Sequence, residues 1–199
     1  MALSYPLTRP AGGFRSIEWT PRTIVGINAS PFTGQQQTYV WPGQWWEVTV
    51  TLPSMTDTQA GVWQGFFLAL NGREGSFYLG DSVRTSPLGN IAGTITVGAG
   101  AVANSTTLPL AGAGVTVFAV GDWLQVGLTT TARLHRVVKV IDSASVDVFP
   151  RLRSAYTNGT TIIKTSAVGI FRLTSLPGWG YDEIKRCQGL TFNAMEVLT

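Results

Sequence analysis

The sequence predicts a mainly β protein with one α-helix, an α+β chain into which a small β-barrel is inserted. Three observations predict it. Glycine is abundant at 23 of 199 residues, threonine and valine are common, and good helix formers are sparse, a composition that favours strands and turns. Only one stretch carries a convincing helical period. Between residues 115 and 165 short apolar-alternating runs follow one another at turn-sized intervals, the pattern of a small barrel or sandwich.

Residues 1–13 are rich in proline and glycine and predict an extended arm. Two candidate strands follow, at 14–19 and 23–28, punctuated by Pro21 and Pro31. A polar loop, PFTGQQQ at 31–37, leads into the strand around which the chain is organised, at about residues 40–52. Side chains on a strand alternate between its two sides. Trp46, Val48, Val50 and Leu52 therefore share one uniformly apolar face, the face that points at a core. Tyr39, Trp41 and Trp45 share the other face with Glu47, Thr49 and Thr51, which suits a contact surface. The expected contact is, in this order, the inserted module, a neighbouring subunit or a glycan.

The helix comes next. Thr56 with Gln59 three positions on has capping-box spacing, and Asp57 puts a negative charge where the helix dipole favours it. Trp63, Phe66, Phe67 and Leu70 recur at i, i+3, i+4 and i+7 as one apolar stripe. Each contributes roughly 1.5–3 kcal/mol when fully buried, and the Trp46 face is the expected partner. Gly72 is the expected stop, and GSFYLG at 75–80 reads as a short strand.

Beyond Asp81 the residues become small and polar, with a strand-like piece near 93–97 and no helical period. Strands are expected at 115–120, 123–126, 132–141, 145–149 and 160–165, the last after an Asn158-Gly159 hairpin signal. In 132–141 the expectation places Leu134, Val138 and Val140 on one side and Arg133, His135 and Lys139 on the other. Residues 169–174 and 190–198 read as longer strands again. The helix and the long strands thus lie at the two ends of the chain. The expected organisation is a discontinuous base domain, 1–87 plus 167–199, with a module inserted at 88–166. Insertion is tolerated where loop ends lie close together.

Catalytic chemistry has little to draw on. His135 is the only histidine and Cys187 the only cysteine, too few for a typical zinc site, and no G-x-S-x-G elbow or phosphate-binding glycine motif follows a strand. Asp182 and Glu183 are adjacent and face apart on any strand. No enzyme, cofactor or metal is therefore expected. A formal net charge of +3 without a lysine- or arginine-rich run gives no sign of nucleic-acid recognition, and no apolar stretch is long enough to span a bilayer. Charged residues make up only 13% of the chain, against about 25% in typical soluble domains. Burial of part of the surface in an assembly is one explanation of such a composition, among others.

Several runs resemble, in the same order, small tail proteins of long-tailed bacteriophages. They are YPL at 5–7, SPFT at 30–33, GQWWEVTVTLP at 43–53, LNGREGSFYLGD at 70–81, GDWLQVG at 121–127, VFPRLR at 148–153 and GIFRL at 169–173. The chain looks like a distal tail protein or a related tail-tip component. The resemblance implies a tail-tube-like β-sandwich with one helix as the base and an outward-projecting inserted barrel. It also implies a homo-oligomer, a hexameric ring in the virion tail tip, assembled in the host bacterial cytoplasm. The implied partners are the tail tube protein and the baseplate hub protein, with tail fibres or a host glycan as further partners. A carbohydrate- or receptor-binding module used in host adsorption is the alternative.

Overall fold

The computed structural model describes residues 3–91, 93–112 and 118–198. Its strands are β1 (Ser16–Ala29), β2 (Gln36–Thr51), β3 (Met55–Thr56), β4 (Phe77–Leu79), β5 (Ile95–Val97), β6 (Thr107–Gly112), β7 (Trp123–Val126), β8 (Arg133–Asp142), β9 (Ser145–Phe149), β10 (Thr161–Ile163), β11 (Gly169–Leu173), β12 (Arg186–Cys187) and β13 (Thr191–Glu196). The α-helix, α1 (Asp57–Ala69), lies between β3 and β4. The protein is mainly β. A five-stranded antiparallel sheet has the order β1-β2-β13-β11-β4, and a closed barrel runs β10-β5-β6-β9-β8-β7. A two-strand ladder joins β12 to β3. Thus the strands between residues 95 and 163 pair with one another, while strands from both flanking segments build the sheet.

The central strand forms as its alternation requires. Trp46, Val48, Val50 and Leu52 are buried, and Glu47, Thr49 and Thr51 sit on the opposite, wetter side. Two layers cover the apolar face. Helix α1 covers one part, with Phe67 and Trp63 against Phe192 of β13 at ring-centroid distances of 5.3 and 6.2 Å, and Phe66 against Phe77 at 5.6 Å. The barrel wall covers the other. Trp46 packs on Trp123 and Phe149 at 5.1 and 4.9 Å, and Trp19 joins them. Trp46 therefore belongs to the same buried core as Trp63, Phe66, Phe67 and Leu70, but its ring partners are Trp19 of β1 and the barrel aromatics Trp123 and Phe149, not the helix stripe.

The capping box at Thr56 and Gln59 is present. The helix ends at Ala69, earlier than Gly72, because Asn71 already turns to φ 48° ahead of Gly72 at 68°. The N-terminal segment is extended but stitched down. Leu7 bridges to Phe77 and covers the β4 edge of the sheet, and the Tyr5 hydroxyl donates to the Ala69 carbonyl at 2.8 Å.

Several sequence expectations need correction. The two strands expected at 14–19 and 23–28 are one, β1. Pro21 sits inside it without harm, because β1 is the edge strand and an edge tolerates a missing N–H. The central strand begins at Gln36, earlier than residue 40. Strand β6 was hidden in a segment of small residues, yet Leu108 and Leu110 alternate into the barrel core. On β8 Val137 points into the barrel core and Val138 out to solvent, and the register shift beyond Val137 then turns Val140 towards the barrel core, so Val140 does not share a side with Val138. Residues 115–117 of the strand expected at 115–120 lie outside the described residues, and 118–120 are not strand, although Phe118 is buried in the barrel core.

Candidate functional site

The ribbon formed by β1 and β2 outruns the sheet that supports it. Strand β13 pairs with β2 only from Thr51 to Glu47, whereas β1 accompanies β2 out to the pair Ala29–Gln36. The outer part of the ribbon is therefore a two-stranded arm. At about 3.3 Å per residue, residues 36–45 carry it roughly 30 Å past the end of β13. A free two-stranded hairpin is only marginally stable in water, and soluble proteins usually protect such edges with charge. This arm does not. From Thr23 to Gln44 the sequence contains no charged residue.

Both faces of the arm are apolar. Directly paired residues point to the same side. Val25 and Val40 form one such pair, with Ile27 on the same side two residues on. Tyr39 lies opposite Gly26 on the other side, with Trp41 two residues on. Gly26 lets the Trp41 side chain lie close there. A Cβ at this position would meet the Trp41 ring at 3.0 Å, so the indole lies across the bare backbone. Ile27 is 67% exposed, Trp41 52% and Tyr39 48%. The tip is ordered by hydrogen bonds: Ser30 N–H donates to the Gln35 carbonyl, Gly34 N–H to the Ser30 carbonyl, and the Phe32 and Thr33 amides approach the Ser30 hydroxyl. The turn displays Phe32 at 95% exposure.

The three contact candidates thus separate. Tyr39 and Trp41 stand out on the arm. Trp45 lies at its root, half-buried, with its indole N–H donating to Glu47, which Arg22 pairs at 2.8 Å. The barrel meets the ribbon through Gln44 instead. Its side-chain oxygen accepts from the Arg151 amide at 2.9 Å, and its carbonyl accepts from Arg153 at 2.7 Å. Sequence reading overlooked Ile24, Val25, Ile27, Phe32 and Val40. The available signal was the run of 22 uncharged residues around a turn, which alternation counting does not weigh.

A buried polar cluster at the junction of sheet and barrel also escaped notice. Glu196, almost fully buried at the end of β13, accepts from Arg153 at 3.0 Å and from the Trp46 amide at 3.2 Å. Burial pushes its carboxyl pKa above the ordinary carboxylate value, against the opposing pull of Arg153. His135 is buried, with Nδ1 at 2.8 Å from the Pro150 carbonyl. Burial, with a smaller contribution from Arg153 and Arg133, drives its pKa down to about 4, so the ring is neutral and Nδ1–H donates. His135 had been assigned to the polar side of β8 with Arg133. The register does keep the two on one side, opposite Leu124 and Val126, but that side is buried.

The chain crossings into and out of the barrel are held closely. Asp122 accepts from the amides of Leu88, Gly89 and Ala119. Asp81 accepts from the Trp123 indole, and Gln125 accepts from the Val168 amide. Gly80 admits the close approach, since a Cβ there would lie 2.1 Å from the Ala167 carbonyl oxygen. These groups fix geometry. Among the described residues no three His, Cys, Asp or Glu side chains group as metal ligands, and no helix is long and apolar enough to cross a membrane. Compared with models of known families and with curated proteins, the chain matches none.

Proposed function

We propose that this chain is a structural, non-enzymatic subunit of a bacteriophage tail tip that assembles into a ring joining the tail tube to the baseplate hub. The observation that carries the reading is the uncharged arm, apolar on both faces and extending beyond its own sheet. An exposed apolar surface of this kind marks an interaction site. A contact between the arm and a different surface of a second copy is heterologous, the kind that generates rings when the rotation closes. The resemblance of the 43–53, 70–81, 121–127 and 148–153 runs to distal tail proteins supplies the assembly, and hexameric number comes from it alone. On this reading residues 1–87 and 167–199 are the ring-forming base, related to tail-tube β-sandwiches, and residues 88–166 are the outward module.

Native mass spectrometry of the full chain, with negative-stain images of the same sample, tests this. A closed ring, six-membered by the resemblance, is the expected result. A monomer at every concentration overturns it.

One observation favours a second reading, a glycan- or receptor-binding role for the barrel in host adsorption. An open cavity of about 510 Å³ on the barrel is lined by Thr130, Thr131, Arg133, Ser154, Tyr156 and Thr160, a surface dense in hydroxyls. Saturable binding of the full chain on a glycan array would favour this role.

A further inference from the structure

We infer that the tip of the arm on one copy of this chain seats Phe32 in the apolar cavity beside helix α1 of a second copy. This rests on the ring reading above and names the contact that closes it.

The cavity holds about 420 Å³ and lies between the N-terminal segment, the loop after β2 and the first turns of α1. Pro10, Pro53, Met55, Val62 and Trp63 supply its apolar wall, Gln59 gives it one polar edge, and no charged residue lines it. Val62 is a large aliphatic side chain on α1 left 58% exposed. Phe32 is the most exposed large apolar side chain in the described protein, at 95%, and a hydrogen-bonded turn holds it outward. A turn already closed by hydrogen bonds leaves less backbone freedom to lose on docking, and aromatic anchors dominate interface energetics.

Knob and cavity match in chemistry and are far apart on one molecule. Phe32 precedes the first residue of β2, whereas Pro53 follows its last, and the intervening 16-residue strand spans roughly 50 Å at 3.3 Å per residue. The strand is hydrogen-bonded to β1 along that length, so the tip cannot reach the cavity of its own chain without tearing the ribbon. A second copy can offer its cavity to the tip and leave its own tip free for a third. Such a contact is heterologous, with knob and socket at opposite ends, and it repeats until it closes. The sequence from Thr23 to Gln44 lacks charge, as does the socket, so neither side strands an ion on burial.

The test uses the full chain. Thr33→Cys, exposed beside the knob and leaving Phe32 in place, and Val62→Cys are made separately, and the two single variants are mixed under oxidising conditions. Cys187 is fully buried and serves as the silent background. The expected result is a disulfide-linked dimer in the mixture that neither variant forms alone, together with loss of the ring in Phe32→Ser and in Val62→Arg. Unchanged melting of both variants as monomers would show that assembly, and not folding, is affected. Intact rings in Phe32→Ser and Val62→Arg, with no mixed cross-link, overturn the inference and leave the ring reading standing. A chain that stays monomeric and forms no mixed cross-link overturns both.

Discussion

The inner and outer halves of one β-ribbon differ above all in the presence of a covering layer. In the inner half, Trp46, Val48 and Val50 lie under α1 and the barrel wall and are almost wholly buried. In the outer half, Val25, Ile27, Val40 and Trp41 come from the same two strands with the same alternation and stand in water. Alternation sets which side a residue faces. Whether that side is interior depends on what else the chain brings to it. The inner half is explained by the molecule itself, and on the proposed reading the outer half is explained by a partner.

The largest expected effects break this comparison most directly. Trp46→Ala removes a ring packed on Trp19, Trp123 and Phe149 and is expected to destabilise the fold by about 3–5 kcal/mol, read by urea or thermal unfolding. Trp41→Ala removes an equally large ring from the arm. It is expected to move the unfolding midpoint by no more than surface substitutions do, about 0.5 kcal/mol, and to reduce assembly in native mass measurements. Equal destabilisation by the two would mean that the arm has a covering layer within the monomer.

The next effect concerns how sheet and barrel are joined. Replacing Arg153 by Met leaves the Glu196 carboxylate buried against the Trp46 amide with its partner gone. Breaking a buried pair from one side typically costs about 3–5 kcal/mol, more than the pair itself is worth. The double variant Arg153→Met with Glu196→Met is expected to recover much of that loss, a coupling that a double-mutant cycle of unfolding free energies measures. Additive losses would place the importance of Arg153 in its bond to the Gln44 carbonyl instead.

Much of the inner half was legible in the sequence. The Trp46 to Leu52 alternation, the i, i+3, i+4, i+7 stripe and the capping box are local patterns, and local patterns survive folding. The series of short strands also foretold a closed β unit. What was not legible depended on partners distant in sequence. Trp46 meets Trp123 because the barrel folds back on the sheet, and no spacing records that. Pro21 read as a break because its edge position is a property of the sheet and not of the strand. Glu196 and Arg153 are 43 residues apart, and each alone looks like an ordinary surface charge. Tyr39 and Trp41 were singled out for the outward face they share with Trp45, yet the arm that carries them past the sheet exists only because β13 stops pairing at Glu47.

The pH dependence of stability sharpens the same contrast, because the inner junction titrates and the uncharged arm has no Asp, Glu, His, Lys or Arg to do so. His135 is held neutral down to about pH 4 in the fold, while in the unfolded chain it takes a proton near pH 6.5. The unfolded state therefore binds more protons between these values. The contribution is fully present above pH 6.5 and is lost as pH falls towards 4, about 3 kcal/mol over that window at 1.4 kcal/mol per pH unit. Glu196 has the opposite sign. Its folded pKa is raised, so its contribution is present below the unfolded carboxylate value and is lost as pH rises through the folded one. Where the two windows overlap they offset each other, and wild-type stability alone does not separate them. His135→Leu does. It removes the histidine's proton linkage and leaves Glu196 in place, so unfolding free energy plotted against pH is expected to lose its decline between pH 6.5 and 4 and to keep only the carboxylate dependence. An unaltered slope in His135→Leu would assign the decline to other groups and would mean that the junction opens to water before the histidine protonates.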